Sequence, residues 1–279
     1  MSGSELKAVR FNLRFWAMQR AIHNLFLTLM YWIVVQLVGS LHGVAHCQGI
    51  SFYTQVDHTK NCVYRVETAD HRFLGTAFCI NKYGYLLTCA HVVTSGISTL
   101  DSVYLVNVVE GLIVTESDTS ETTSVERLTA VVDTTIPRLD LAVLRVNPEQ
   151  YGILRFEFLG FGNSDNLREG QDIAICAFIP DDFKLPKAFI SRGIVSTIRP
   201  KTFDPRLNSE VDIIQMDLNI SKGTSGGPIF TIDSGRVVAI QDAGLFESSQ
   251  SSQTPYAIAI KTNQVIPLLD SLRISYDRR

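Results

Sequence analysis

The chain has 279 residues, 46% of them hydrophobic and 19% charged, with a net charge of −3. That composition suits a folded, water-soluble protein of one large domain or two small lobes, and excludes a disordered or collagen-like chain. A charge near zero, with no basic run interleaved with aromatics beyond the N-terminus, argues against nucleic-acid binding.

The chain opens with Lys7, Arg10, Arg14 and Arg20, followed at 25 to 45 by LFLTLMYWIVVQLVGSLHGVA, which carries no charge unless His42 is protonated. About 20 uncharged residues suffice to cross a bilayer. The core from Leu25 to Val38 also has the length of a signal-peptide apolar region, and GVA at 43 to 45 suits a small-x-small cleavage site. A start at Met18 would give this segment ordinary signal-peptide proportions. Residues 1 to 47 are therefore expected to export or anchor the chain, the basic flank inside and the remainder outside, with 48 to 60 as a linker. A mitochondrial presequence is the alternative reading of an arginine-containing, acid-poor start.

The five cysteines, Cys47, Cys62, Cys79, Cys89 and Cys176, contain no CxxC and form no metal-like cluster with the six histidines, so no metal or other cofactor is expected. An odd number cannot all pair within one chain, and most are expected to be small buried apolar side chains.

From about residue 61 the pattern is short strands and turns. CVYRVET alternates apolar and polar residues, and FCI, NKYG and YLLT read as a hairpin turning at Asn81 to Gly84. VYLVNVV (103–109), LTAVVD (128–133), LAVLRV (141–146), DIAICAF (172–178), GIVSTI (193–198), DIIQM (212–216), PIFTI (228–232), RVVAIQD (236–242) and YAIAI (256–260) follow. Runs of this kind predict an all-β barrel or sandwich. Only the end reads as helix, with Val265, Leu268, Leu269 and Leu272 on one stripe. Residues 111 to 125 and 245 to 254 are polar and expected to be exposed loops.

One stretch carries unusual chemistry. SKGTSGGPIF, 221 to 230, crowds glycines around Ser225. A serine hydroxyl is a poor nucleophile until a base takes its proton, and imidazole does so best near neutral pH. The imidazole in turn needs an acceptor that fixes its tautomer. His91, in GYLLTCAHVV, stands where a strand leaves the sheet, and Asp140, in RLDLAVLRV, stands just before an apolar strand. Singly each has a bland reading, as a surface histidine and a strand-start cap.

In the order His91, Asp140, Ser225, within β-rich sequence, the chain resembles the chymotrypsin-like serine proteases, and among them the HtrA (Deg) branch. The resemblance rests on GTAFCINKYGYLLTCAHVV (75–93), LDLAVLRV (139–146), LGFGNSDNLREGQDIAICAF (159–178), SRGIVSTI (191–198), IIQMDLNISKGTSGGPIF (213–230) and YAIAIKTN (256–263). It implies a two-lobed double six-stranded β-barrel with a short C-terminal helix, preceded by an N-terminal hydrophobic helix, and a protease domain over 61 to 279. It implies Ser225 as nucleophile, His91 as general base and acid, Asp140 as its orienting residue, and the amides of Gly223 and Ser225 as the oxyanion hole. The expected activity is endopeptidase cleavage through an acyl-enzyme intermediate, on exported unfolded or damaged proteins. The alternatives are a non-catalytic protein-binding module on a protease fold and a membrane-anchored interaction protein.

Several positions depart from the family. Thr224 stands where digestive relatives have Asp and HtrA relatives usually Asn, so activation by pairing with a new amino terminus is not expected. Asn219, six residues before Ser225, is not an acid; a preference for Lys or Arg before the scissile bond is unsupported, and small or aliphatic residues fit better. A Cys79–Cys89 disulfide is open to an exported chain, although its offset does not match the bridge that relatives place around the catalytic histidine. The PDZ domain of most HtrA proteins is not expected here. Relatives form trimers through the N-terminal part of the protease domain, which puts a homotrimer among the expected states.

Overall fold

The computed structural model describes Met30 and residues 51–95, 98–114, 119–180, 187–205, 207–244 and 257–278. The chain divides into one unit, Met1–Gly49, and another, Ile50–Arg279. The expected export or anchor segment falls in the first unit and, Met30 apart, lies outside the described residues. Among the described residues no helix is long and apolar enough to cross a membrane.

The stretch expected as a linker runs into a helix, α1 (Phe52–Cys62), whose Gln55, Thr59 and Cys62 share a buried face. Six strands then close a barrel in the order β1-β2-β3-β8-β7-β6. They are β1 (Val63–Glu67), β2 (Phe73–Cys79), β3 (Tyr85–Cys89), β6 (Ser102–Val114), β7 (Thr119–Ile136) and β8 (Leu141–Val146); the small pair β4 (Thr94–Ser95) and β5 (Ser98–Thr99) lies between β3 and β6. The second barrel closes as β10-β11-β14-β13-β12-β9. It comprises β9 (Asp172–Ala177), β10 (Phe189–Asp204), β11 (Ser209–Met216), β12 (Pro228–Thr231), β13 (Val237–Gly244) and β14 (Ala257–Lys261), and ends in α2 (Thr262–Ser271). Closure leaves neither sheet an open edge. On α2, Val265, Ile266 and Leu269 are buried, whereas Leu272 of the expected stripe is exposed.

Period-two alternation explains why several strands read as unbroken apolar runs. Along β8, Ala142, Leu144 and Val146 pack inside the first barrel with Leu86 of β3. The intervening Leu141 and Val143 join Leu87 in a second cluster, which also holds Ala174 and Cys176 of β9 and Phe230 of β12. Ile173, Ile175 and Ala177 of β9 fill the other barrel with Ile229 and Ala259. Each barrel therefore buries both faces of its central strands, one inward and one against the other barrel. The catalytic candidates lie along this shared seam.

Two expectations are corrected. Residues 111 to 125 are not a loop where described: the ladder of β6 with β7 continues from Gly111↔Thr122 to Val114↔Thr119. Backbone pairing along an antiparallel ribbon tolerates polar side chains, so composition alone misled. Residues 245 to 254 lie outside the described residues. The Cys79–Cys89 bridge is not formed: Cys62, Cys79, Cys89 and Cys176 are all buried, and none of them is in a disulfide. Cys79 is opposite Leu86 in the hairpin, and Cys89 lies further along β3. Cys79 Sγ instead donates to Asn81 O, and Cys89 Sγ to Gln241 O, each at 3.1 Å.

Candidate active site

The ladder of the first barrel brings His91 and Asp140 together. Cys89 at the end of β3 is opposite Leu141 at the start of β8. The residues just beyond, a 3-10 turn Ala90–Val92 and a second turn Pro137–Leu139 leading into Asp140, must therefore be neighbours. Asp140 closes its turn in the left-handed region, φ 47° and ψ 42°, a conformation that Asp tolerates better than most residues. Its backbone carbonyl accepts from Ala90 N at 2.8 Å. Its carboxylate takes the backbone N–H of His91 on Oδ1 at 2.9 Å and the ring nitrogen Nδ1 on Oδ2.

Burial pushes the Asp140 carboxyl up, but the hydrogen bond and charge of His91, with the neighbouring Asp242 carboxyl and the His91 backbone N–H, hold it below the ordinary carboxylate value. It is thus an anion at neutral pH, and its side chain is only 10% exposed against 48% for His91. An anion on Nδ1 fixes the tautomer that leaves Nε2 free to accept a proton.

Ser225 comes from the second barrel, on the turn between β11 and β12. Two features of the loop are dictated by close approach. Gly226 has φ 84°, and a Cβ there would lie 2.1 Å from Thr76 O of β2. Gly223 has φ 93°, and a Cβ there would meet the Phe73 ring at 2.2 Å. Both conformations are costly for any residue but glycine.

The loop is held without the Asp or Asn that relatives place before the serine. Thr224, 2% exposed, turns its hydroxyl onto Ser221 O at 2.8 Å. Thr76, fully buried in β2, accepts from Phe178 N at 2.9 Å and donates to Gly223 O at 2.7 Å. The Thr76 backbone N–H also reaches Ser225 O at 3.0 Å. Thr88 of β3 in turn donates to Thr76 O at 2.7 Å.

The Ser225 hydroxyl donates to the backbone carbonyl of Asp242 at 3.0 Å. A hydroxyl has one proton, so in this state it is spent on Asp242 rather than on His91.

His91, Asp140, Gly223 and Ser225 all line one open cavity of about 1160 Å³. Its walls include Ile213, Ile220 and Ile258, with Gln215 under the guanidinium of Arg199, whose Nε donates to Gln215 Oε1 at 3.0 Å. Asn219 is exposed and is not among the lining residues.

All four residues singled out from the sequence thus meet in one place. Thr76, Thr88 and Asp242 were not singled out. The available signal was modest: a polar residue in an otherwise apolar strand, as in FLGTAFC and VVAIQDAG.

A model of the trypsin-like peptidase domain matches residues 75–240. A DegP-like periplasmic serine endoprotease of Bartonella henselae is 32% identical over 196 residues, 70% of this chain and 33% of that protein. One of Pseudomonas fulva is 32% identical over 202 residues, 72% of this chain and 35% of its own. The chain spans about a third of the length of these relatives. The HtrA-type protease AlgW with a decapeptide superposes with a TM-score of 0.58 at 21% identity, covering 80% of this chain and 68% of its own. Deg5 superposes with a TM-score of 0.57 at 21% identity, covering 81% and 95%. At those identities the superpositions establish the chymotrypsin-like fold.

Proposed function

The chain belongs to the trypsin-like peptidase domain family, and from that premise we propose that it is a serine endopeptidase using Ser225, His91 and Asp140. The observation that carries the reading is the Asp140 carboxylate on Nδ1 of an accessible His91, at the mouth of a cavity that Ser225 also lines.

In this reading Ser225 Oγ leaves the Asp242 carbonyl, gives its proton to His91 Nε2 and attacks the scissile carbonyl carbon. The amides of Gly223 and Ser225 receive the oxyanion, and His91 returns its proton to the leaving amine. Water then enters by the same base and cleaves the acyl-enzyme. Asp140 stays ionised and stabilises the imidazolium formed in each half.

Substrates are polypeptides. The Ile213, Ile220 and Ile258 wall fits a small or aliphatic residue before the scissile bond, with no carboxylate placed to receive Lys or Arg at Asn219. The periplasmic names of the relatives favour an exported chain acting on unfolded or damaged proteins over the mitochondrial alternative.

A fluorophosphonate probe followed by mass mapping tests this. One adduct on Ser225 is expected. Folded protein that takes no label, with or without added peptide, would leave the non-catalytic binding module as the better reading.

A further inference from the structure

A bulge in β13 brings a second carboxyl to the first. Gln241 pairs with Ala259 and Ala243 with Ile258, so Asp242 between them has no residue opposite it in the ladder. Bulges beside active sites re-aim a side chain. Here the carbonyl of Asp242 meets the nucleophile's hydroxyl, and a carboxyl oxygen of Asp242 lies within 4.8 Å of one of Asp140. Asp242 is 2% exposed and Asp140 8%.

Ionised carboxylates only accept hydrogen bonds, so two of them this close can bond to each other only if one keeps a proton. Two buried like charges this close do not both ionise, and the pair holds one proton in common. The neighbours decide where it resides. Cys89 on β3, His91 in the turn after it, and Asp140 are the titratable groups that gather with Asp242, their ligand atoms all within 4.8 Å of one another. The Cys89 thiol donates to Gln241 O, and His91 turns both its Nδ1 and its backbone N–H to Asp140. The anion is therefore best satisfied on Asp140.

We propose that Asp242 is a positioning residue that keeps its proton at working pH and donates it to the Asp140 carboxylate, steadying the acceptor that orients His91. The proposal rests on the catalytic roles given above to His91 and Asp140. It also leaves a single negative charge, rather than two, beside the imidazole.

The test follows His91 itself rather than turnover. The full chain is prepared with 15N-labelled histidine, the His91 ring signals are assigned by their loss in His91→Asn, and the imidazole is titrated by NMR in wild type, Asp242→Asn and Asp242→Ala. Asparagine keeps a donor without a charge, so the His91 midpoint is expected within about 0.3 unit of wild type. A midpoint lowered by more than that means Asp242 carried a negative charge, and overturns the proposal. Alanine removes the donor, and a rise of about half a unit or more is expected as Asp140 holds its charge less well shared. An unmoved midpoint in Asp242→Ala denies the positioning role. Wild-type protein that shows the expected midpoints yet hydrolyses no peptide would overturn the peptidase reading and leave the proton assignment standing.

Discussion

The hydroxyl of Thr76 donates to the carbonyl oxygen of Gly223 across 2.7 Å, joining β2 of the first barrel to the loop of the second that carries Ser225. The Thr76 hydroxyl oxygen also accepts from Phe178 N, so one buried side chain fixes both ends of the loop's surroundings. Thr76→Val keeps the shape and leaves two buried partners unmatched. It is expected to cost about 1–3 kcal/mol of stability. By displacing one of the proposed oxyanion amides it should also lower kcat by up to the hundred- to thousandfold that such a donor contributes. Thermal melting and steady-state kinetics on one preparation check both effects.

Gly223→Ala is expected to fail for two separate reasons, its φ of 93° and a Cβ 2.2 Å from the Phe73 ring. Phe73→Ala removes only the second. The double variant is therefore expected to regain stability over Gly223→Ala without regaining turnover, because the backbone strain remains. Full recovery of kcat in the double variant would show that the ring clash alone was at fault.

Ser225→Ala should remove hydrolysis on the order of a million-fold, as in other enzymes whose triad acts as a unit. Asp140→Asn, which leaves the wrong tautomer of His91, is expected to lower kcat by roughly ten-thousand-fold, the loss known from the equivalent change in trypsin. Peptidase activity that survives Ser225→Ala would place the nucleophile elsewhere.

Acid stability follows from the sign of the Asp140 shift. Its folded value lies below the ordinary one. The unfolded chain therefore binds more protons in that window, and stability rises with pH through it. The contribution is whole above about 3.9, the ordinary aspartate value, and is lost as pH falls through the lower folded value. Asp165, held low by hydrogen bonds from Lys261 and Asn263, titrates in the same direction. The measurement is thus the difference between Tm-against-pH curves of wild type and Asp140→Asn, which should shrink as pH falls through the lowered Asp140 value.

The described cysteines should be silent in the folded protein. Burial pushes the thiols of Cys79 and Cys176 up to about 12 and raises Cys62 beyond them. Iodoacetamide at neutral pH is expected to leave Cys62, Cys79, Cys89 and Cys176 unmodified until denaturant is added, and a reductant should leave Tm unchanged. Mass mapping of the alkylated peptides checks the first, and calorimetry the second.

Much of the fold was legible because barrel strands bury side chains at period two. The runs LAVLRV, DIAICAF and PIFTI announced β8, β9 and β12, and NKYG announced the turn between β2 and β3. The long ribbon of β6 and β7 was harder to read past Val109, since backbone pairing leaves no apolar pattern when the flanking residues are polar. The helix α1 was hidden for the opposite reason: FYTQVDHTKNC offers only a weak apolar face, and tertiary contact decides it.

By itself the sequence marked His91, Asp140, Gly223 and Ser225 as the candidates for chemistry, by residue type, order and local setting. Tertiary structure decided what holds them. Thr76 lies far from Gly223 along the chain, and Asp242 is set apart from its strand by a bulge that no local pattern reveals. Contacts between barrels depend on closure and register, which arise from the whole set of strand pairings rather than from any one segment. That is why a candidate nucleophile could be read from SKGTSGGPIF, whereas the threonines that shape its loop and the carboxyl behind Asp140 could not.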